Sequence, residues 1–251
     1  MKLTAIIPTL NEEQNIRAAI ESVSFAEEVL VIDSYSSDNT VEIARELGAR
    51  IIIQKFENFS AQKNRAIQEA TYEWIILLDA DERISEELRN EITGLIVSEP
   101  EHEAYRVPRT NFFMGKEIRY SGWQHDMVVR LIKKDSCRFN GKPVHEDIET
   151  TGTTGLLKNK LLHFTFNGFD AYVDKLNRYA WLQAEELNAR SCKVTVFHLF
   201  CKPAFRFFRH YIFQQGFRDG MAGLTIARLQ SYAVFTRYVK LWLIRRKQKQ
   251  A

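Results

Sequence analysis

Within the first hundred residues, short β-branched runs alternate with amphipathic stretches of helical period, and few arrangements can bury both kinds of segment at once. Strands are expected at Leu3 to Ile7, Val29 to Ile32, Ile51 to Ile53 and Trp74 to Leu78. Helices are expected between and after them, at Glu13 to Val23, Thr40 to Leu47, Ala61 to Ala70 and Glu86 to Ile96. The alternation reads as βαβ units and therefore as a parallel sheet with helices on its faces. Asp38 is placed to cap the second helix and Gly48 to stop it.

After Pro100 the pattern changes. Strand-like pieces at Ala104 to Val107, Met127 to Ile132 and Leu161 to Phe166 are separated by Asn-Gly and Gly-rich turns, so this half is expected to be antiparallel or mixed. From Phe169 to Arg190 the spacing of Tyr172, Leu176, Tyr179 and Leu187 returns to a helical period. Helices are expected to continue from there, with breaks near Pro203 and around Gly220 and Gly223.

A hydrophobic content of 45% over 251 residues supports a sizeable core and argues against disorder. The three cysteines, Cys137, Cys192 and Cys201, form no CxxC pair and are odd in number, which favours a reducing cytoplasm over a disulfide framework or a zinc ribbon. The start MKLTAIIPTLNEE has too short an apolar run for a signal peptide. Lys202, Arg206 and Arg209 interrupt the most hydrophobic late stretch, so no spanning helix is expected.

The net charge of +3 hides an asymmetry. From Arg190 onward there are 13 Lys and Arg against one acid, Asp219, which leaves 35 − 13 = 22 basic and 32 − 1 = 31 acidic residues before it. A tail of +12 behind a body of −9 is expected to meet a polyanion, either nucleic acid or an anionic membrane face.

In an open parallel sheet, ligands gather at the carboxyl ends of the strands. Three such ends here are polar: Pro8-Thr9-Leu10-Asn11-Glu12, Asp33-Ser34-Tyr35-Ser36-Ser37-Asp38, and Asp79-Ala80-Asp81-Glu82. A carboxylate there can accept from a base or ribose, while Asp-x-Asp offers two hard oxygen ligands suited to Mg²⁺ or Mn²⁺. Blander roles compete: Thr9 and Glu12 as helix caps, Asp33 as an Asx turn, and Asp79 with Asp81 as a solvated turn.

Together, Pro8-Thr9-x-Asn11-Glu12, Val31-Ile32-Asp33-Ser34-x-Ser36-x-Asp38-x-Thr40 and Leu78-Asp79-Ala80-Asp81-Glu82 resemble family 2 glycosyltransferases of GT-A fold in order and spacing. Beyond them, Ser121-Gly122-Trp123, Asp126, Arg130-Leu131, Phe139 and Gly141-Lys142-Pro143-Val144-His145-Glu146 resemble the bacterial lipopolysaccharide inner-core glucosyltransferases of that family. His125 stands where that branch would have proline, Ile132 where it would have phenylalanine, and Ser34 replaces the usual second acid after Asp33. The resemblance implies an α/β, Rossmann-like GT-A domain over residues 1–168, with a mixed, mainly parallel sheet flanked by helices. Residues 1–100 would be its nucleotide-sugar half and 101–168 its acceptor half. A helical, basic and aromatic region, 169–251, would associate with the membrane.

By position, the resemblance implies donor contacts at Pro8, Thr9, Asn11, Glu12, Asp33, Ser34, Lys63, Arg65, Asp79 and Ala80, with Thr9, Glu12 and Asp33 on uridine. It implies a divalent cation, Mg²⁺ or Mn²⁺, at Asp81, Asp79 and a late histidine, His163; a histidine among apolar neighbours is otherwise a hydrogen-bonded core residue. An inverting transfer needs one carboxylate to take the acceptor proton. Glu146 is preferred and Asp126 is the alternative, although each also fits a surface or turn acid. By that likeness a UDP-sugar, UDP-glucose, would be the donor and a heptose of the lipid-A-linked core oligosaccharide the acceptor. The enzyme would lie on the cytoplasmic face of the inner membrane.

A sugar-phosphate nucleotidyltransferase shares a similar α/β core, yet would want a Gly-rich loop where Pro8-Thr9-Leu10-Asn11-Glu12 has no glycine. A binding protein with a decayed site is opposed by the intact Asp79-Ala80-Asp81. In the tail, helical spacing puts Phe205, Phe208 and Ile212 on one side and Lys202, Arg206 and Arg209 on another, as an interfacial helix would. No nucleic-acid-reading motif accompanies these cations, so an anionic membrane is the expected partner and nucleic acid is not.

Overall fold

The computed structural model describes residues 2–98, 100–141, 147–164 and 169–248. The chain begins with β1 (Leu3–Thr9), α1 (Ile16–Ser22), β2 (Glu28–Asp33), α2 (Thr40–Glu46), β3 (Arg50–Ile53), α3 (Phe59–Glu69) and β4 (Trp74–Leu77). It continues through β5 (Glu82–Ile84), α4 (Glu86–Val97), β6 (Ala104–Phe113), β7 (Lys116–Ile118), β8 (Met127–Lys133) and β9 (Cys137–Phe139). Then come β10 (Ile148–Thr150), β11 (Thr154–Leu156), β12 (Leu161–Phe164), α5 (Phe169–Ala189), α6 (Val196–Leu199), α7 (Cys201–Phe208) and α8 (Met221–Gln248). Two compact units divide it: residues 1–110 with 126–163, and residues 111–125 with 164–251.

The first unit holds a mixed sheet of order β3-β2-β1-β4-β8-β6-β12-β5, with β11 beside β6. Its first four strands are parallel, and β8 joins both β4 and β6 antiparallel. The expected GT-A-like architecture, parallel first and mixed after Pro100, is the observed one. Alternation along the strands separates two faces. Leu3, Ala5 and Ile7 of β1, with Ile76 of β4, pack against Ile16 and Ile20 of α1, Ala44 of α2 and Leu88 and Ile92 of α4. Ile6, Leu30, Ile75 and Leu77 point the other way, onto Ala66 and Ile67 of α3 and Phe139 of β9.

Local chemistry sets the helix starts. The Asn58 and Ser85 side chains accept from the N–H groups of Ala61 and Leu88, capping α3 and α4. Asp38 receives the Thr40 N–H at 3.0 Å, so it caps α2 from one position before the formal N-cap, Asn39. Gly48, at φ +78°, follows the end of that helix. The first helix starts at Ile16 rather than at Glu13, because Glu12 and Glu13 bond to the neighbouring loop instead.

In the second unit the last residues of β6 pair antiparallel with β7. Phe113 and Ile118 pack there with Tyr172 of α5 and with Ile226 and Leu229 of α8. Both expected breaks are present, one at Phe200, close before Pro203, and one at Gly220. Pro203 is the third residue of α7, where a missing N–H costs nothing, and the interruption lies before it. Gly223 lies inside the first turn of α8, and only Gly220, at φ +65°, marks a true turn.

Candidate active site

The crevice at the strand ends begins with a proline. Leu78 donates to the Ile6 carbonyl, and Ser34 donates to the Thr9 carbonyl on the other side of β1. Pro8 shares the β4-facing parity of Ile6 but has no N–H, so pairing between β1 and β4 ends at Ile6 and Leu77 while β1 stays paired to β2 as far as Thr9 and Asp33. The sheet therefore parts beyond Ile6.

Asp33, fully buried at the end of β2, accepts from Thr9 Oγ1 at 3.0 Å and from Ser36 N at 2.8 Å. The loops after β1 and β2 are laced together. Asn11, at φ +56°, donates its N–H to Ser36 Oγ and accepts from Ser37 N, both at 2.8 Å. Glu12 N donates to Thr40 Oγ1 at 2.8 Å, and Glu13 N to Asp38 at 3.1 Å. Ser34 is buried and accepts from Gln62 of α3 at 2.8 Å.

The Asp79-Ala80-Asp81 turn is set by its own flanks. Glu82 N returns to the Asp79 carbonyl, and the Asp79 N–H donates to Glu82 Oε2 at 3.0 Å. Arg83 donates to the Ala80 carbonyl at 2.7 Å and to the Asn15 carbonyl at 2.9 Å, fastening the turn to the entry of α1. Ala80 is buried in the core. Glu82, with no exposed surface, receives Arg130 at 2.7 Å and Arg109 at 3.2 Å.

Asp79 lies between cations. Its carboxylate meets the Arg130 guanidinium and lies 3.5 Å from Lys63 Nζ of α3. Burial would raise its pKa, but the Arg130 and Lys63 charges outweigh burial and hold it well below the usual carboxylate range. Burial alone would lower the Arg130 pKa, whereas Asp79 and Glu82 raise it above the ordinary arginine value. Glu12 behaves oppositely. Desolvation raises its pKa, the Asn15 amide bond opposes this, and the charges of Asp81 and Asp38 add to the rise. Hydrogen bonds link the same loops: Glu12 N donates to Thr40, and Arg83 reaches the Asn15 carbonyl from the Asp-x-Asp turn.

Asp81 Oδ2 lies 3.4 Å from His163 Nε2, placed by antiparallel pairing of β12 with β5. Asp126 holds Arg109 in a fork, with bonds of 2.9 and 2.8 Å. Arg65, two residues after Lys63, faces another side of α3 and pairs with Glu69 at 2.7 Å, apart from this group. Glu146 lies outside the described residues. Beside Asp79 opens a cavity of about 360 Å³ whose charged lining is Lys63, Arg106, Arg109, Arg130, Asp79 and Asp147. That Arg109 and Arg130 share Glu82 is invisible in sequence, because both sit in β6 and β8, whose pairing only the fold reveals.

The donor set can be tested against a divalent cation. Among the described residues, no group of three His, Cys, Asp or Glu could enclose one. A carboxylate oxygen and an imidazole nitrogen, Asp81 and His163, do face each other at the rim. That matches an ion completed by substrate phosphates and water, the habit of Mg²⁺, rather than a resident cage.

A parallel sheet parted at its carboxyl edge, with an Asp-x-Asp turn on the rim, is the architecture of a GT-A-type glycosyltransferase. The chain belongs to glycosyl transferase family 2, whose family model matches residues 4–144. It is similar to the lipopolysaccharide core biosynthesis glycosyltransferase LpsC of Rhizobium meliloti, at 26% identity over 96% of this chain and 92% of that one. It is also similar to an uncharacterized glycosyltransferase of Rickettsia typhi, at 28% identity over 96% of this chain and 86% of the other. The crystal structure of S. aureus TarS shares the fold, with a TM-score of 0.50 and 16% identity, covering 96% of this chain and 55% of TarS.

Proposed function

We propose that this family 2 glycosyltransferase moves a hexose, glucose from UDP-glucose, onto a heptose of the lipid-A-linked lipopolysaccharide core, at the cytoplasmic face of an anionic membrane. The observation that carries the reading is that the loops after β1 and β2 are bonded to each other, through Asn11 on Ser36 and Glu12 on Thr40, while Arg83 fastens the Asp79-Ala80-Asp81 turn to the entry of α1, and Asp79 lines a cavity whose charged groups are mostly basic. The core-biosynthesis role in the name of LpsC supports the acceptor class.

Thr9, Glu12 and Asp33 would bind the uracil end, with Pro8, Asn11, Ser34 and Ala80 shaping the backbone that receives it. Asp79, steadied by Arg130 and Lys63, would face the ribose. Asp81 and His163 would hold Mg²⁺ or Mn²⁺, which when bound neutralises charge on the departing diphosphate. Lys63 and Arg130 give the diphosphate fixed positive neighbours, and their own ion pairs set their positions before any ligand arrives.

The acceptor oxygen must lose a proton as its bond to the anomeric carbon forms and the bond to diphosphate breaks. We assign that proton to Glu146, whose neighbour Asp147 lines the cavity. Asp126 is the weaker candidate, because both of its oxygens accept from Arg109 and a proton there would displace a charged hydrogen bond. A donor screen reading UDP release, with a truncated lipopolysaccharide as acceptor, tests the whole assignment. UDP-glucose should give acceptor-dependent release. Glu146→Gln should lower turnover by about 10²-fold or more while nucleotide binding persists. Near-normal turnover of that variant would remove Glu146 from the role, and release from no UDP-sugar would remove the donor assignment.

A further inference from the structure

In the second unit, α7 turns phenylalanines outward and its two cations, Lys202 and Arg206, inward, the reverse of what water selects on a helix. Along Cys201–Phe208 and the π-helical turn that continues it, Arg209–Phe213, the side toward α8 carries Lys202, whose Nζ donates to the Tyr238 hydroxyl at 2.7 Å. Arg206 is half-buried there beside His210, and His210 is buried against the Ser121 carbonyl at 2.8 Å. On the outer side Phe205, Phe208 and Phe213 stand 62%, 54% and 73% exposed. Phe197 and Phe200, in the segment just before, are also more than half exposed.

Charge narrows what can cover such a face. Residues 190–248 contain twelve Lys and Arg and one acid, Asp219. That acid is buried and accepts from Arg119 N, Tyr120 N and Ser121 Oγ, so it presents no negative charge outside. Lys193, Arg209 and Arg218 are exposed among the phenylalanines. A second copy would bring the same cations against themselves, whereas an anionic headgroup layer over acyl chains complements both features. No helix among the described residues is long and apolar enough to cross a membrane, so the contact is shallow.

We infer that Phe205, Phe208 and Phe213, with Phe197 and Phe200, enter the headgroup–acyl boundary of an anionic bilayer, and that Lys193, Arg209 and Arg218 hold the phosphates around them. This deepens the proposed reading by naming the surface that brings the enzyme to a lipid-linked acceptor, and rests on that reading only for what the enzyme meets there.

The test uses the full chain and vesicles of phosphatidylethanolamine with phosphatidylglycerol, against vesicles of phosphatidylcholine alone. Flotation with the anionic vesicles should be strong, weaken at high salt, and fall about tenfold or more in Phe205→Ser/Phe208→Ser. Phe208→Trp, which keeps an apolar ring, should shift its emission to the blue and be quenched by lipids brominated near the headgroup. An unshifted tryptophan, equal flotation of the double serine variant, or a dimer that the serine substitutions dissociate without vesicle binding would each overturn the inference. Transfer to core oligosaccharide freed of lipid A should be the same in wild type and the double variant. Its absence from both, with flotation intact, would count against the transferase reading alone.

Discussion

Single side chains in this fold settle several groups at once. Glu28, at the start of β2, accepts from Thr4 Oγ1 at 2.7 Å, from Thr71 N and Thr71 Oγ1 at 2.8 Å, and from Arg50 Nε at 2.9 Å. Burial alone would raise its pKa; the hydrogen bonds from Thr4 and Thr71 and the Arg50 charge together take it below the ordinary glutamate value. A folded-state pKa below the unfolded one adds stability above the unfolded value, about 4.3, and that stability is lost as the pH falls through the folded value. Glu28→Gln should therefore cost about 1–2 kcal/mol at pH 7 in urea unfolding, with the gap to wild type closing below about pH 4. A gap that stayed constant into acid would mean that packing, not charge, holds this corner. Glu82 plays a similar part at the rim, where one buried carboxylate fixes Arg109, Arg130 and the Asp79 N–H. In sequence, Asp33 and Asp79 stand out because they are polar directly after apolar runs, and Asp81 because it completes Asp-x-Asp with the latter. Glu82 and Arg130 enter only as members of motifs and Arg109 not at all, since the pairing of both arginines with Glu82 spans 27 and 48 residues.

At the scale of elements, Gly223 marks a contact and not a break. A Cβ built there would stand 1.9 Å from the Gly216 carbonyl oxygen and 2.9 Å from Asp219 Cβ, both within the second unit. Helix propensity alone would favour Gly223→Ala by about 1 kcal/mol. The clash is with backbone, so the variant should instead lose about 2 kcal/mol or more, read as a lower Tm; a raised Tm would mean that the Gly216 turn yields. Pro203 stands just after the break it signals, since proline is tolerated in the first turn of the helix that follows. The parallel half was legible because its strands are continuous apolar runs separated by full helices. The three-residue strands β5, β7, β9, β10 and β11 were not, since such lengths carry no period; β7 and β11 take their ladder from the long β6, and β9 and β10 pair with each other.

For the whole molecule, the proposed donor makes stability depend on ligand. UDP with Mn²⁺ at roughly a hundred times its Kd should add about 2.7 kcal/mol, seen as a raised Tm. Asp81→Asn should remove the manganese-dependent part of that rise, and an undiminished shift would place the ion elsewhere. Chain connectivity has a different consequence. Residues 111–125 leave the first unit and belong with the C-terminal helices, where Asp219 gathers Arg119, Tyr120 and Ser121. Shortening the protein to its first 168 residues would delete that aspartate and orphan three donors in a hairpin cut off from its hydrophobic support. An attempt to harvest the nucleotide-binding portion by itself, or to graft it onto a different tail, should yield insoluble material unless the hairpin is redesigned along with it.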